Sequence, residues 1–124
     1  WGSFVRRYKQ YIRNAECKLD YLVEITVKDD ERGDPLINDD TIVALGLVSP
    51  AQLERAKDIT RRVCRIVEAD LNEKGLTLID MKIETGLVDG EVVVIDEISA
   101  DAMRVMDKEG KVLEHGTVYE KLIG

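Results

Sequence analysis

The stretch Ser49-Pro50-Ala51-Gln52 constrains this chain more than any other. Ser at the N-cap, Pro at the first helical position and Gln at the third satisfy the orphan N–H groups of a helix start. Leu53, Ala56, Val63, Ile66, Val67 and Leu71 then recur at helical spacing, and Gly75 supplies the stop. Arg55, Lys57, Arg61 and Arg65 are spread over the polar side of this helix. A solvated face is the ordinary reading of such residues, and an anion-binding face is the alternative.

Strand patterns lie on both sides of the helix, which makes the class α+β. Before it, Tyr21, Val23, Ile25 and Val27 alternate along residues 19–28 and share one face of a predicted strand. Residues 29–40 are too polar and turn-rich for a regular element, and residues 39–46 have room for one or two helical turns. After the helix, Thr77, Ile79, Met81 and Ile83 form one face of a strand, with Asp80, Lys82 and Glu84 on the other. Residues 91–96 read as the returning strand. Residues 103–107 and 111–113 read as a second, smaller hairpin, and residues 117–122 as a helix start.

Composition excludes several classes. At 124 residues the chain is of single-domain size, and 44% hydrophobic with 35% charged residues is neither a disordered nor a membrane composition. The formal charge of −7 argues against a binder of nucleic-acid backbone, leaving only local basic pairs such as Arg6-Arg7 and Arg61-Arg62. No segment has the length of a membrane span. Cys17 and Cys64 have no metal-ligand spacing and read as two reduced thiols of a cytoplasmic protein. His115, the single histidine, reads as a solvated loop residue. The chain opens on Trp1 without a signal peptide or an initiator methionine, so a fragment or a processed chain is expected.

Asp80-Met-Lys82-Ile-Glu84 carries the most chemistry. Three ionisable groups on one strand face suit either a polar cleft or an ordinary wet edge. A two-residue loop to the returning strand places Asp96 on the apolar face with Ile83. A three-residue loop, Val88-Asp89-Gly90 with a bulge at Gly90, places Lys82 opposite Asp96 and Glu84 diagonal to it. The second register satisfies both faces and is the expected one. It brings Glu84 and Asp96 close enough to share a divalent cation such as Mg²⁺, with Lys82 nearby as a point charge. Ser99 and Asp101 beyond read equally as a helix cap with an acid in its first turn, and Arg104 follows.

Four segments in order carry a resemblance: Gly2-Ser3-Phe4-Val5-Arg6-Arg7, Lys28-Asp-Asp-Glu-Arg-Gly-Asp34-Pro35-Leu-Ile-Asn38-Asp-Asp40, Asp80-Met-Lys82-Ile-Glu84-Thr-Gly86, and Asp96-Glu97-Ile98-Ser99-Ala-Asp101 with Arg104 and Asp107. The chain resembles the C-terminal part of phosphoribosylaminoimidazole-succinocarboxamide synthase, or SAICAR synthetase. The resemblance implies an antiparallel sheet with packed helices, the C-terminal ATP-grasp/kinase-like lobe of that fold. Residues 1–124 would be that single lobe, and the N-terminal nucleotide-binding lobe is absent from this sequence. The implied activity is an ATP-dependent ligase of purine biosynthesis joining L-aspartate to carboxyaminoimidazole ribotide, with Mg²⁺ as cofactor and a homo-oligomer as the expected assembly. A non-catalytic truncated paralogue that binds a ribotide or a partner chain is the alternative. A phosphotransferase acting on a hydroxyl acceptor is a third reading.

By matched position, Lys82 and Asp34 would sit by the reacting carboxylate. Glu84 and Asp96 would hold the metal and the ATP phosphates, and Lys28 would lie on the nucleotide side. Ser3 and Arg104 would hold the ribotide 5′-phosphate, and Asp80 and Asp101 its ribose and base. This sequence departs from the family pattern at Ala100 and Met106 and from residue 110 onward.

Overall fold

The computed structural model describes residues 3–12, 19–95, 102–114, 116 and 117. The chain opens on a short helix α1 (Ser3–Tyr8), where the Phe4 and Tyr8 rings stack 4.8 Å apart, followed by a 3-10 turn at Lys9–Tyr11. Two short strands follow, β1 (Ile25–Thr26) and β2 (Leu36–Ile37). Asn38 caps helix α2 (Asp39–Ala44), its side chain accepting the Thr41 N–H at 2.8 Å. The expected long helix is α3 (Pro50–Glu73). Strands β3 (Thr77–Met81), β4 (Thr85–Val88), β5 (Glu91–Val94) and β6 (Met103–Met106) complete the described elements. None of the described helices is long and apolar enough to cross a membrane.

Helix α3 starts and stops as its sequence dictates. The Ser49 hydroxyl accepts the Gln52 backbone N–H at 3.1 Å, and the Gln52 side-chain oxygen Oε1 accepts the Ser49 N–H at 2.8 Å. At the far end Gly75 takes φ +75°, a value open to glycine at little cost. Leu76 N–H then reaches back to the Leu71 carbonyl at 2.9 Å and Gly75 N–H to that of Asn72 at 3.0 Å. These two bonds close the helix and bring Leu76 against Leu71.

That contact seeds the core. Leu71, Leu76, Leu78, Met103 and Val105 are buried together, with Cys64, Val67, Met81 and Leu113 packed around them. Cys64, Val67 and Leu71 form one stripe of α3, so the helix lies across the β3–β6 pair. Ile66, expected in the apolar stripe, is 70% exposed, because it lies off the line that Val67 and Leu71 share. Lys57 and Arg61, expected on the wet side, are partly covered: Lys57 pairs with Asp39, and Arg61 donates from Nε to the Tyr21 carbonyl at 3.2 Å.

The described strands form three separate antiparallel pairs, β1 with β2, β3 with β6 and β4 with β5. Burial alternates along residues 21–29 as the strand pattern predicts, but only Ile25–Thr26 is laddered, because β2 is equally short. The hairpin after α3 differs from its expectation in two ways. First, β3 pairs with β6, and the Lys82 N–H continues that ladder to the Ala102 carbonyl at 2.7 Å; Asp96, expected opposite Lys82, lies outside the described residues. Second, β4 and β5 are joined by the two-residue turn Asp89-Gly90, with φ of +52° and +80° and Val88 opposite Glu91. Asp-Gly tolerates positive φ at both positions, and such a turn matches the twist of the strands it joins. A three-residue loop was therefore not needed.

The apolar face of β3 also differs. The ladder slips by one residue between Leu78 and Asp80, leaving Ile79 as a bulge. The bulge inverts the alternation: Leu76, Leu78 and Met81 face α3, whereas Thr77 is exposed and Asp80 lies opposite Arg104. The smaller hairpin is present as a bridge between Met106 and Val112, closed by Asp107, whose carboxylate accepts the Glu109 and Lys111 N–H groups at 2.9 Å. The helix expected at residues 117–122 lies almost wholly outside the described residues, as do Cys17 and His115.

Gln52 has a second duty. Its side-chain N–H donates to the Gly90 carbonyl at 3.0 Å and ties the β4–β5 turn to the start of α3. Gln52→Glu keeps the acceptor that completes the cap but loses this donor. Amides in residues 85–94 are expected to exchange about fivefold faster in that variant, the equivalent of one lost hydrogen bond of about 1 kcal/mol. Amides at the start of α3 are expected to keep their protection. Gln52→Ala removes both bonds and should expose the two sites together. Hydrogen exchange by NMR separates these outcomes.

Candidate active site

Three local structures position the candidate side chains, and two of them meet in one charged cluster. The first is the β1–β2 connection. Ile25 faces Ile37, Thr26 faces Leu36, and the Val27 N–H bonds the Pro35 carbonyl at 3.0 Å, so Lys28 and Asp34 stand at the mouth of the loop between them. The loop contains a 3-10 turn at Asp30–Arg32, followed by Gly33 at φ +68° and Asp34 at φ +50°. Asp is among the few non-glycine residues that enter this region readily.

The second is the passage from β3 to β4. Lys82 still belongs to the β3–β6 ladder through its N–H, whereas the Glu84 carbonyl accepts the Ile95 N–H at 3.0 Å and so belongs to the β4–β5 pair. Each side chain thus starts from backbone held by a different strand pair.

The third is the β3–β6 ladder itself. Downstream of the bulge, Asp80 and Arg104 are cross-strand neighbours, and the Arg104 guanidinium donates to the Asp80 carboxylate at 3.0 Å.

The resulting contacts join residues far apart in sequence. The Lys28 ammonium donates to both Glu84 oxygens at 3.2 and 3.3 Å. The Lys82 Nζ lies 3.8 Å from Asp34 Oδ2, and the other Asp34 oxygen accepts the Asp29 N–H at 2.6 Å. Two lysines and two carboxylates thus alternate in sign. Lys28 and Lys82 are 69% and 61% exposed at their side chains, whereas Glu84 and Asp34 are 28% and 32% exposed. The acids are held in place and the lysines are open to solvent, an arrangement suited to receiving an anion on the ammonium groups. Lys28 is held above its ordinary pKa, chiefly by its hydrogen bond to Glu84, then by the charge of Glu84, with smaller contributions from Asp30 and Asp34.

The structure therefore brings together Lys82 with Asp34, Lys28 with Glu84, and Asp80 with Arg104. Ser3 is the first residue of α1; its side chain, Asp96 and Asp101 lie outside the described residues. Among the described residues no three His, Cys, Asp or Glu side chains are grouped closely enough to enclose a metal ion.

Two features escaped the sequence. Asp29, between the candidate residues Lys28 and Asp34, bonds to both Arg32 and Asp34. A capping acid ahead of a Gly-Asp turn was the available signal. Tyr21, at φ +60°, docks on α3: its hydroxyl donates to Glu68, and the Arg65 guanidinium lies 4.8 Å from its ring centroid. Burial pushes the neighbouring Cys64 thiol up, with the Glu68 charge adding to it, which keeps the thiol protonated and poorly nucleophilic.

This α+β architecture is shared with solved structures. A structure described as SAICAR synthetase (Type-2) in complex with ADP superposes with a TM-score of 0.83 at 28% identity, over 98% of this chain and 58% of that one. The structure of protein TM1243, also described as a SAICAR synthetase, gives 0.78 at 35% identity over 98% and 56%. The family model for SAICAR synthetase matches residues 1–122, and the chain belongs to that family. Phosphoribosylaminoimidazole-succinocarboxamide synthase of Clostridium tetani is 42% identical over 115 residues, covering 91% of this chain and 50% of that protein. The enzyme of that name from Methanocaldococcus jannaschii is 39% identical over 124 residues, 99% and 50%. The chain thus spans about half the length of these relatives.

The Lys28–Glu84 pair has a measurable signature. A raised lysine pKa means that the pair contributes stability below the ordinary lysine pKa of about 10.4, and the contribution is lost as pH rises through the raised folded-state value. Glu84→Gln is expected to return Lys28 toward the ordinary value. Because Lys28 is exposed, about 1 M salt should shrink the wild-type displacement as well. An NMR titration of the Lys28 side chain reads both, and a Lys28 unmoved by the substitution contradicts the pairing.

Proposed function

We propose that the chain is the C-terminal lobe of an ATP-dependent ligase that joins L-aspartate to carboxyaminoimidazole ribotide, forming SAICAR with ADP and phosphate. The observation that carries this reading is the Lys28–Glu84 and Lys82–Asp34 pairing within a SAICAR synthetase family fold. The ADP bound in one structural relative supports nucleotide use.

The residues divide by their surroundings. Lys82 is mostly exposed and stands beside Asp34; in this reading it is the positive point charge next to the substrate carboxylate being activated. Charge builds on that carboxylate and on the phosphoryl group it receives, so a fixed ammonium lowers the barrier to their approach. Arg104 presents its guanidinium from β6, oriented by Asp80, and is the candidate for the ribotide 5′-phosphate. Asp80 then serves the ribotide from the same ladder, joined in this reading by Ser3 and Asp101.

The donor chemistry of Glu84 fits a hard divalent cation. Its two oxygens face a single exposed ammonium, which can be displaced into solvent. Glu84 and Asp96 would hold Mg²⁺, which when bound neutralises charge on phosphate oxygens. Lys28 in that case turns to the nucleotide. A homo-oligomer in the cytoplasm completes the proposal.

Turnover by the full-length protein tests it: Mg-ATP, L-aspartate and the ribotide should yield SAICAR and ADP together. Binding of ribotide without turnover favours a non-catalytic paralogue instead. Arg104→Ala is expected to raise KM for the ribotide about tenfold to a hundredfold, the range for losing one charge-assisted hydrogen bond. KM for ATP should stay near the parent value. Lys82→Met should lower kcat about a hundredfold or more. Steady-state kinetics with each substrate varied in turn distinguishes the two.

A further inference from the structure

We propose that Asp29 is a positioning residue that fixes the Asp34 carboxylate toward Lys82. Its carboxylate, its N–H and its carbonyl all take part. The carboxylate accepts from the Arg32 N–H at 3.3 Å and from the Arg32 guanidinium at 3.0 Å, which caps the 3-10 turn at Asp30–Arg32. The carbonyl accepts the Arg32 N–H at 3.1 Å and the Asp34 N–H at 3.0 Å. The N–H donates to Asp34 Oδ1 at 2.6 Å.

Asp29 and Asp34 are thus bonded reciprocally, N–H to carbonyl in one direction and N–H to carboxylate in the other. This ring holds Asp34 in the left-handed region at φ +50°, directly after Gly33 at +68°. It also divides the two Asp34 oxygens. Oδ1 is committed to Asp29, and Oδ2 is the oxygen left to face Lys82 at 3.8 Å. Without the cap, the turn at residues 30–32 loses its anchor, and both Asp34 oxygens are free to rotate to water.

The same residue adjoins the other arm of the cluster in sequence. Lys28 precedes Asp29 directly and pairs with Glu84. Asp29 is itself only 26% exposed at its side chain, so its carboxylate is committed to the loop and not to solvent. It neither pairs with Lys82 nor with Glu84, and acts through Asp34.

The inference rests on the ligase reading for its kinetic consequence alone. Two substitutions in the full-length protein test it. Asp29→Ala removes the cap, whereas Asp29→Asn keeps an oxygen that accepts the Arg32 N–H. In Asp29→Ala, the amides of residues 29 and 34 are expected to exchange about tenfold faster, with those of residues 71–78 unchanged. The same variant should lose about tenfold to a hundredfold in kcat, as misplaced catalytic groups do, with KM for ATP held. Asp29→Asn should recover most of both losses. Parent-like exchange at residues 29 and 34 in the alanine variant overturns the proposal, as does an asparagine variant no better than alanine. If the parent protein forms no SAICAR, the ligase reading fails, and the exchange at residues 29 and 34 still decides the role of Asp29.

Discussion

Among the described residues, Leu71 and Val105 are sealed completely from solvent, and their burial in one cluster holds the described structure in register. Leu71 lies in the last turn of α3, and Val105 lies within β6. Between them sit Leu76 and Leu78, delivered by the turn at Gly75. The core is small, so each of its members matters: truncating a buried leucine of this kind typically costs about 2–5 kcal/mol. Because α3 is pinned there at its C-terminal end and capped at Ser49, the whole helix acts as a ruler against which the loop at Tyr21, the acid Asp39 and the turn at Gly90 are all placed.

The bulge at Ile79 turns that core into a site. A regular β3 would keep one alternation throughout, and Leu76, Leu78 and Asp80 would share a face. One inserted residue sends Leu78 and Met81 into the core and leaves Asp80 beside Arg104 on the opposite side. The apolar and ionic demands of one five-residue strand are met at the same time. No buried ionisable side chain is present among the described residues, so the charges of the cluster carry no large desolvation cost.

Long-range features were legible in the sequence where a local device announced them. The capping box and Gly75 bound α3 closely, Asn38 opens α2 where helical turns were expected, and the four family segments pointed to Lys28, Asp34, Asp80, Lys82, Glu84 and Arg104, which the structure pairs. What was not legible depended on choices between nearly equal alternatives. Asp89-Gly90 supports either a two-residue turn or a longer one, and the longer one satisfies both faces only if β5 pairs with β3. The true partner of β3, β6, lies more than twenty residues downstream, and nothing local in β3 reveals it. The bulge then reversed the face assignment that period-two alternation gives. Ile66 shows the same limit on a helix: an apolar residue at near-helical spacing is not thereby a core residue.

The three strand pairs share no strand, and this has a mechanical consequence. Glu84 moves with the β4–β5 hairpin, to which its carbonyl is bonded, whereas Asp80 and Arg104 move with the β3–β6 ladder. A tilt of the hairpin changes the separation of Glu84 from Lys28 without disturbing the Asp80–Arg104 pair. The candidate side chains are thus carried on two plates joined by the short link at residues 82–84. A molecule gripping both plates locks that link, and its binding carries an entropic cost set by how freely the plates rock beforehand.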